Sequence, residues 1–219
     1  MLRGAIFDMD GTILESMGIW RNCGDRTLKS LGIDTDGELA RLSQGMTIDG
    51  VAKLATENYS TGIGYDKLVE LMWENIYDGY ANEATLKPGV MEIFEKFDSH
   101  GIRMSLATAT DRKYLTPVIE RLGIAKYFCS IFTCKEVGAD KYQPTIYEMA
   151  LNSLGTQKSD TYIFEDALHA IVTAKNNGFY VVGVEDYYAA KDAIKIKALS
   201  DYYLPRFDQW STVLAPILP

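Results

Sequence analysis

Cysteine, histidine and net positive charge are all scarce in this chain, and each shortage excludes something. Of 219 residues three are cysteine, Cys23, Cys129 and Cys134, an odd number with no C-x-x-C spacing. A disulfide framework is therefore not expected, and the thiols read as reduced in a cytoplasmic protein. The two histidines, His100 and His169, read as surface or packing residues. Lys plus Arg numbers 22 against 30 for Asp plus Glu, a formal net charge of −8. With no basic excess to displace phosphate counterions, nucleic acid is not expected as a partner. No uninterrupted apolar run approaches a membrane-spanning length, so no membrane partner is expected. The N-terminus lacks a signal-peptide pattern, because an acidic pair arrives within the first ten residues. Repeats and low-complexity tracts are missing too. What remains is ordinary for a globular protein, 47% apolar and 24% charged, and long enough for a sizeable core in one or two domains.

The informative stretch is Asp8-Met9-Asp10-Gly11-Thr12. It follows Gly4-Ala5-Ile6-Phe7, an apolar run that predicts a buried strand. Two carboxylates thus emerge where a parallel strand would end, with Gly11 allowing a sharp turn beside them. One can attack or hold a metal; the other can handle a proton. Three further features have the same placement. Ile102–Ala107 predicts a strand ending in Thr108-Ala109-Thr110, Lys141 precedes a helical segment that starts at Pro144, and Thr161–Phe164 predicts a strand running into Glu165-Asp166. Taken singly, Thr108 is a helix cap, Lys141 a solvated side chain and Glu165-Asp166 a polar turn. Thr110 reads as a cap for the helix containing Leu115. Taken together they supply a nucleophile, a hydroxyl, an ammonium and metal-binding carboxylates outside strand ends, where ligands of open α/β sheets sit.

Between residues 15 and 86 the pattern is helical throughout. Trp20, Cys23, Thr27, Leu28 and Leu31 recur at helical spacing, as do Val51, Leu54 and Ala55, and then Leu68, Leu71, Met72 and Ile76. After Pro88-Gly89, helices near 90–97, 115–122, 144–154 and 168–177 alternate with strands near 102–107, 130–133, 161–164 and 179–184. Such alternation predicts an α/β fold, a parallel sheet with helices on both faces.

The order D-x-D-G-T, Thr after a strand, Lys, then Glu-Asp after a strand resembles the four motifs of the haloacid dehalogenase superfamily. Lys87-Pro88-Gly89-Val90, Arg121-Leu122-Gly123-Ile124 and the stretch from Ile163 to Gly178 extend the likeness over nearly the whole chain. The resemblance implies a Rossmann-like catalytic core of residues 1–14 and 87–219, with a small all-helical cap of residues 15–86 inserted after the first strand. It implies Mg²⁺ as cofactor, held by Asp8, Asp166, the backbone carbonyl of Asp10, and Glu165 directly or through water. Asp8 would be the nucleophile and Asp10 the general acid/base, Thr108 would donate to a phosphate oxygen, and Lys141 would neutralise developing charge and pair with Asp8. Substrate contacts are expected from Gly11 and Ala109 in the core, and from Glu15, Ser16, Trp20, Arg21, Gln44, Gly45 and Met46 in or beside the cap.

The chain departs from the family pattern in three places. Glu15-Ser16 stands for the frequent Asp-Ser, Tyr142-Gln143 separates Lys141 from Pro144, and Ala170 replaces a frequent Gly. The expected activity is a Mg²⁺-dependent phosphatase acting on a small phosphorylated metabolite, in a monomer or weak dimer. A sugar phosphomutase of the β-phosphoglucomutase type and a catalytically silent binding module on the same fold are the alternatives. Against the mutase, Ser43–Ile48 carries no Arg or Lys near Gly45, and Trp20 replaces the cap His. Against the silent module, neither Asp8 nor Asp10 is lost.

Overall fold

A computed structural model describes residues 1–218. The chain forms two compact units, Met1–Glu15 with Thr85–Pro219, and Ser16–Ala84. The Ser16–Ala84 unit is helical: α1 (Met17–Ser30), α2 (Glu38–Leu42), α3 (Ile48–Asn58) and α4 (Tyr65–Asp78), followed by a π-helical turn, Gly79–Glu83. The spacing seen in the sequence becomes the buried stripe of each helix, with Ile19, Cys23 and Leu28 on α1, Val51 and Ala55 on α3, and Leu68, Met72 and Ile76 on α4. Buried backbone ends find partners locally. Asp25 accepts from the amides of Leu39 (3.2 Å) and Ala40 (2.9 Å), and Thr47 Oγ1 accepts from Gly50 N–H at 3.2 Å to cap α3. Arg26 forks onto both oxygens of Glu83 at 2.8 and 2.5 Å, tying α1 to the π turn.

The other unit is built on a sheet. Its strands are β1 (Gly4–Phe7), β2 (Leu14–Glu15), β3 (Thr85–Leu86), β4 (Arg103–Thr108), β5 (Phe128–Thr133), β6 (Thr161–Glu165), β7 (Tyr180–Val184) and β8 (Tyr202–Leu204). Six of them form a parallel sheet in the order β5-β4-β1-β6-β7-β8. The helices α5 (Val90–Ser99), α6 (Arg112–Arg121), α7 (Cys134–Val137), α8 (Thr145–Leu154), α9 (Leu168–Asn176), α10 (Ala193–Leu199) and α11 (Trp210–Val213) complete the unit, and the sheet is covered on both faces.

Successive strand residues face opposite sides, so each strand feeds two cores. Ile6, Ala107, Ile163 and Val181 pack with Ile146, Ala150 and Leu154 of α8 and with Ile171 and Ala174 of α9. Their neighbours in sequence make an aromatic layer. Phe7 stacks on Phe164 with centroids 4.4 Å apart and meets Phe94 of α5 edge-on at 5.2 Å. Each such fully buried ring contributes roughly 1.5–3 kcal/mol. β1 is held at the centre of the sheet by register with both neighbours, Phe7 opposite Leu106 and Phe164.

Two strand features escaped the sequence. β2 and β3 pair antiparallel over two residues each, Leu14 opposite Leu86 and Glu15 opposite Thr85, too short to leave an alternation. β8 pairs parallel with β7 through Tyr202-Tyr203-Leu204, which likewise has no alternating pattern. Among the described residues no helix is long and apolar enough to cross a membrane, and Cys23, Cys129 and Cys134 are unbridged.

Lys87, just past β3, is a hub. Its N–H donates to Ile13 O at 2.9 Å, and its ammonium donates to Glu185 O at 2.8 Å and to Asp186 Oδ2 at 3.0 Å. Both side chains are buried, at 9% and 4% relative exposure. Lys87→Met would strand a buried carboxylate and is expected to lower unfolding stability by about 3–5 kcal/mol. Adding Asp186→Asn should recover most of the loss, since no uncompensated charge remains. Urea denaturation of the three proteins reads both effects, and an unchanged midpoint in the single variant would remove Lys87 from this role.

Candidate active site

The C-terminal edge of the sheet is where three adjacent strands deliver polar side chains. Asp8 directly follows β1 and donates its amide to Phe164 O at 2.9 Å, which sets the strand end against β6. Thr108 is the last residue of β4 and Glu165 the last of β6, with Asp166 next. Asp8, Glu165 and Asp166 are all buried, and one carboxylate oxygen from each lies within 4.8 Å of the others.

Lys141 reaches this cluster from the loop between α7 and α8. Its ammonium is buried, donates to Asp8 Oδ1, and donates to Glu165 Oε2 at 2.8 Å. Glu165 Oε2 also accepts from the Tyr147 hydroxyl at 3.1 Å, and its Oε1 from the amide of Ala167 at 3.2 Å. Thr12 Oγ1 donates to Asp166 Oδ1 at 2.8 Å. The turn carrying Thr12 can come this close because residue 11 is glycine: φ is +79°, and a Cβ there would lie 2.5 Å from Asp166 Oδ2.

The charges do not balance. Three carboxylates face one ammonium. Burial, reinforced by the charge of Glu165, pushes the Asp8 carboxyl up to about 6 even though Lys141 pulls the other way. Asp166 is held well above the ordinary carboxylate range, by burial first and then by Glu165 and Asp8. Burial alone would lower Lys141, but Asp8 and Glu165 outweigh it and hold the ammonium protonated. The cluster therefore favours a further positive charge. Its donors are all carboxylate oxygens, with no imidazole or thiolate, a set suited to Mg²⁺ rather than to Zn²⁺ or copper.

Asp10 is partly exposed, and its Oδ2 accepts a hydrogen bond from Thr110 Oγ1 at 2.5 Å. This corrects the reading of Thr110 as a helix cap. α6 starts at Arg112 with Asp111 as its N-cap residue, and the Thr110 hydroxyl is turned to Asp10 instead. Thr108 is fully buried, and its hydroxyl oxygen accepts from the Thr110 amide at 3.0 Å, which leaves its own proton available to a ligand. Ala109 is exposed beside them.

The residues expected to touch substrate are divided between the two units. Gly11 lies against the acidic cluster. Glu15 is exposed on β2 and lines a separate cavity of about 280 Å³ with Lys87, Asp186, Tyr187 and Arg206. Ser16, Trp20, Arg21, Gln44, Gly45 and Met46 belong to the helical unit. There Trp20 donates its indole N–H to the Tyr80 hydroxyl at 2.6 Å and meets Trp73 edge-on at 5.9 Å, while Gln44, Gly45 and Met46 are exposed in the turn between α2 and α3. Sequence reasoning missed Thr12, Tyr147 and the Thr110–Asp10 bond as parts of the site.

Residues 5–184 match the sequence pattern of the haloacid dehalogenase-like hydrolase family. Over 189 residues the chain is 26% identical to validoxylamine A 7′-phosphate phosphatase of Streptomyces hygroscopicus subsp. limoneus, covering 84% of this chain and 86% of that protein. Over 180 residues it is 27% identical to a phosphorylated carbohydrates phosphatase of Thermotoga maritima, covering 81% and 82%. A Thermotoga maritima crystal structure, provisionally described as a β-phosphoglucomutase, superimposes with a TM-score of 0.86 at 23% identity, over 99% of this chain and 100% of that one. That likeness speaks to the fold.

Proposed function

The chain belongs to the haloacid dehalogenase-like hydrolase family, and on that premise we propose that it is a Mg²⁺-dependent phosphatase of small phosphorylated metabolites, sugar phosphates or similar monoesters. The observation that carries this reading is Asp8, a buried carboxylate at the end of the central strand with Lys141 on one oxygen and Glu165 and Asp166 beside it.

In this mechanism an Asp8 oxygen attacks phosphorus and the ester oxygen leaves, taking a proton from Asp10. Asp10, held by Thr110, then removes a proton from the water that attacks the aspartyl-phosphate, and Asp8 is regenerated as phosphate departs. Thr108 donates its hydroxyl proton to a phosphate oxygen, and Lys141 shifts its hydrogen bonds toward the charge that develops there. Asp8, Asp166 and Glu165, with the Asp10 backbone carbonyl, would hold Mg²⁺, which when bound offsets the repulsion between the carboxylates and an anionic substrate. Thr12 and Tyr147 orient Asp166 and Glu165 for that work. The helical unit serves as the cap that selects the leaving group, in a cytoplasmic monomer or weak dimer acting on its metabolite without nucleic-acid or membrane partners.

Phosphatase is favoured over phosphomutase by the helical unit's chemistry. A mutase must hold two phosphates. The exposed Gln44–Met46 turn has no cation, and Trp20 is engaged with Tyr80 and Trp73. With Mg²⁺, a panel of sugar monophosphates should yield inorganic phosphate without a bisphosphate activator. β-Glucose 1-phosphate should give phosphate or nothing. Bisphosphate-dependent formation of glucose 6-phosphate in a coupled dehydrogenase assay would establish the mutase branch instead.

A further inference from the structure

Tyr142 directly follows Lys141 and is 71% exposed. Nothing in the core holds it. It lies instead against His169, with ring centroids 4.6 Å apart and planes inclined by 27°. His169 sits in the first turn of α9, three residues beyond Asp166. The stack therefore bridges the two segments that carry the charged groups of the site, the Ala139–Pro144 loop with Lys141 and the strand-to-helix turn with Glu165 and Asp166.

The loop is tied at its start, where the Ala139 amide donates to Cys134 O at 3.2 Å, and at its end, where Pro144 leads into α8; between those points its restraints are local. Asp140 Oδ1 accepts from the Tyr142 amide at 3.0 Å and Asp140 O from the Gln143 amide at 3.2 Å, both bonds internal to the loop. The first proline ring after Lys141 is Pro144, so φ at positions 142 and 143 is not fixed covalently. Lys141 itself is anchored at its far end, on Asp8 and Glu165. Those are the bonds that must loosen when its charge moves toward a phosphate. At that moment the backbone under Lys141 depends on what else fastens the loop to the sheet edge, and the aromatic stack does so from outside the cluster.

We propose that Tyr142 and His169 are positioning residues, a surface clamp that keeps the Lys141 loop registered against the Glu165–Asp166 turn through turnover. The proposal rests on the phosphatase reading for its catalytic consequence but not for its structural one. A stack of this kind is expected to be worth about a 3–10-fold change in the occupancy of the competent loop.

The test is a double-mutant cycle on the full chain with p-nitrophenyl phosphate and Mg²⁺, alongside amide hydrogen exchange of residues 139–143. Tyr142→Ala and His169→Ala should each lower kcat about 3–10-fold at unchanged melting temperature. Tyr142→Phe, which keeps the stack, should retain the wild-type rate. The double alanine variant should lose no more than either single one, because both remove the same contact. Exchange at 139–143 should accelerate in each alanine variant and not in Tyr142→Phe. Additive losses, unchanged kcat in Tyr142→Ala, or unchanged exchange would each overturn the clamp. If the wild-type chain hydrolyses no phosphate monoester and exchange still accelerates as expected, the phosphatase reading fails and the clamp stands.

Discussion

Asp8→Asn is expected to abolish phosphate release, lowering kcat by roughly 10⁵-fold, the scale on which removing the nucleophile of a covalent mechanism acts. The amide is nearly the same size and leaves Lys141 its second partner, Glu165 Oε2 at 2.8 Å, so the loop need not move. Stability should not fall. The Asp8 carboxyl is pushed up to about 6 by burial and by Glu165, so at neutral pH, without a metal, its ionised form is disfavoured in the folded state. Asparagine mimics the neutral form. In chelator at neutral pH the variant should therefore melt at or above the wild-type temperature while being inactive when Mg²⁺ is restored. Activity within about 100-fold of wild type would remove Asp8 as the nucleophile. A lower melting temperature would show instead that the Asp8–Lys141 pair is a net stabiliser.

The parts of this site that could be read from the sequence are those announced by backbone patterning. Gly4–Phe7 and Tyr162–Phe164 are apolar without interruption, as expected of strands buried on both faces, so the residues that follow them had to emerge at a sheet edge. Asp8, Glu165 and Asp166 follow from that patterning, whereas Lys141, taken singly a solvated side chain, is picked out only by its place in the order of motifs. Which side chains complete the cluster was not legible. Thr12 and Asp166 are 154 residues apart, and nothing periodic marks a threonine that will donate across that interval. Tyr147 fits the apolar stripe of α8, and nothing in its spacing marks the hydroxyl as a donor to Glu165. Thr110 carried a true local signal, a hydroxyl just before a helix. Asp111 took the N-cap position one residue later, which freed Thr110 for Asp10. The strands β2, β3 and β8 are set by tertiary pairing over two or three residues, below the length at which alternation can be recognised.

Removal of divalent metal is expected to stop turnover as completely as loss of Asp8, and the pH dependence of metal binding should carry the signature of the crowded carboxylates. In the metal-free protein Asp8 holds its proton up to about 6, whereas in the unfolded chain it loses it near 3.8. Between those values the folded state binds more protons than the unfolded one. The contribution of Asp8 to stability is thus present at acid pH and is lost as pH rises through that window. Asp166, also raised by burial and by its carboxylate neighbours, acts in the same direction. Mg²⁺ requires the ionised forms and reverses the trend. Its apparent affinity should rise with pH, by about tenfold per pH unit below about 6, where Asp8 still holds its proton, and protons should be released on binding throughout that range. At about 100 times Kd the ion should add about 2.7 kcal/mol to unfolding stability. Calorimetric titration with Mg²⁺ at a series of pH values, paired with melts in chelator and in excess metal, measures all three quantities. Full activity in chelator would contradict the proposed site. A pH-independent affinity from 4.5 to 7.5 would show that the metal does not displace protons from Asp8 and Asp166, and so is not held by them. The proton inventory tests the donor set separately from the reaction, since it asks only whether the carboxylates that repel one another at the end of β1 and β6 are the ones the cation neutralises.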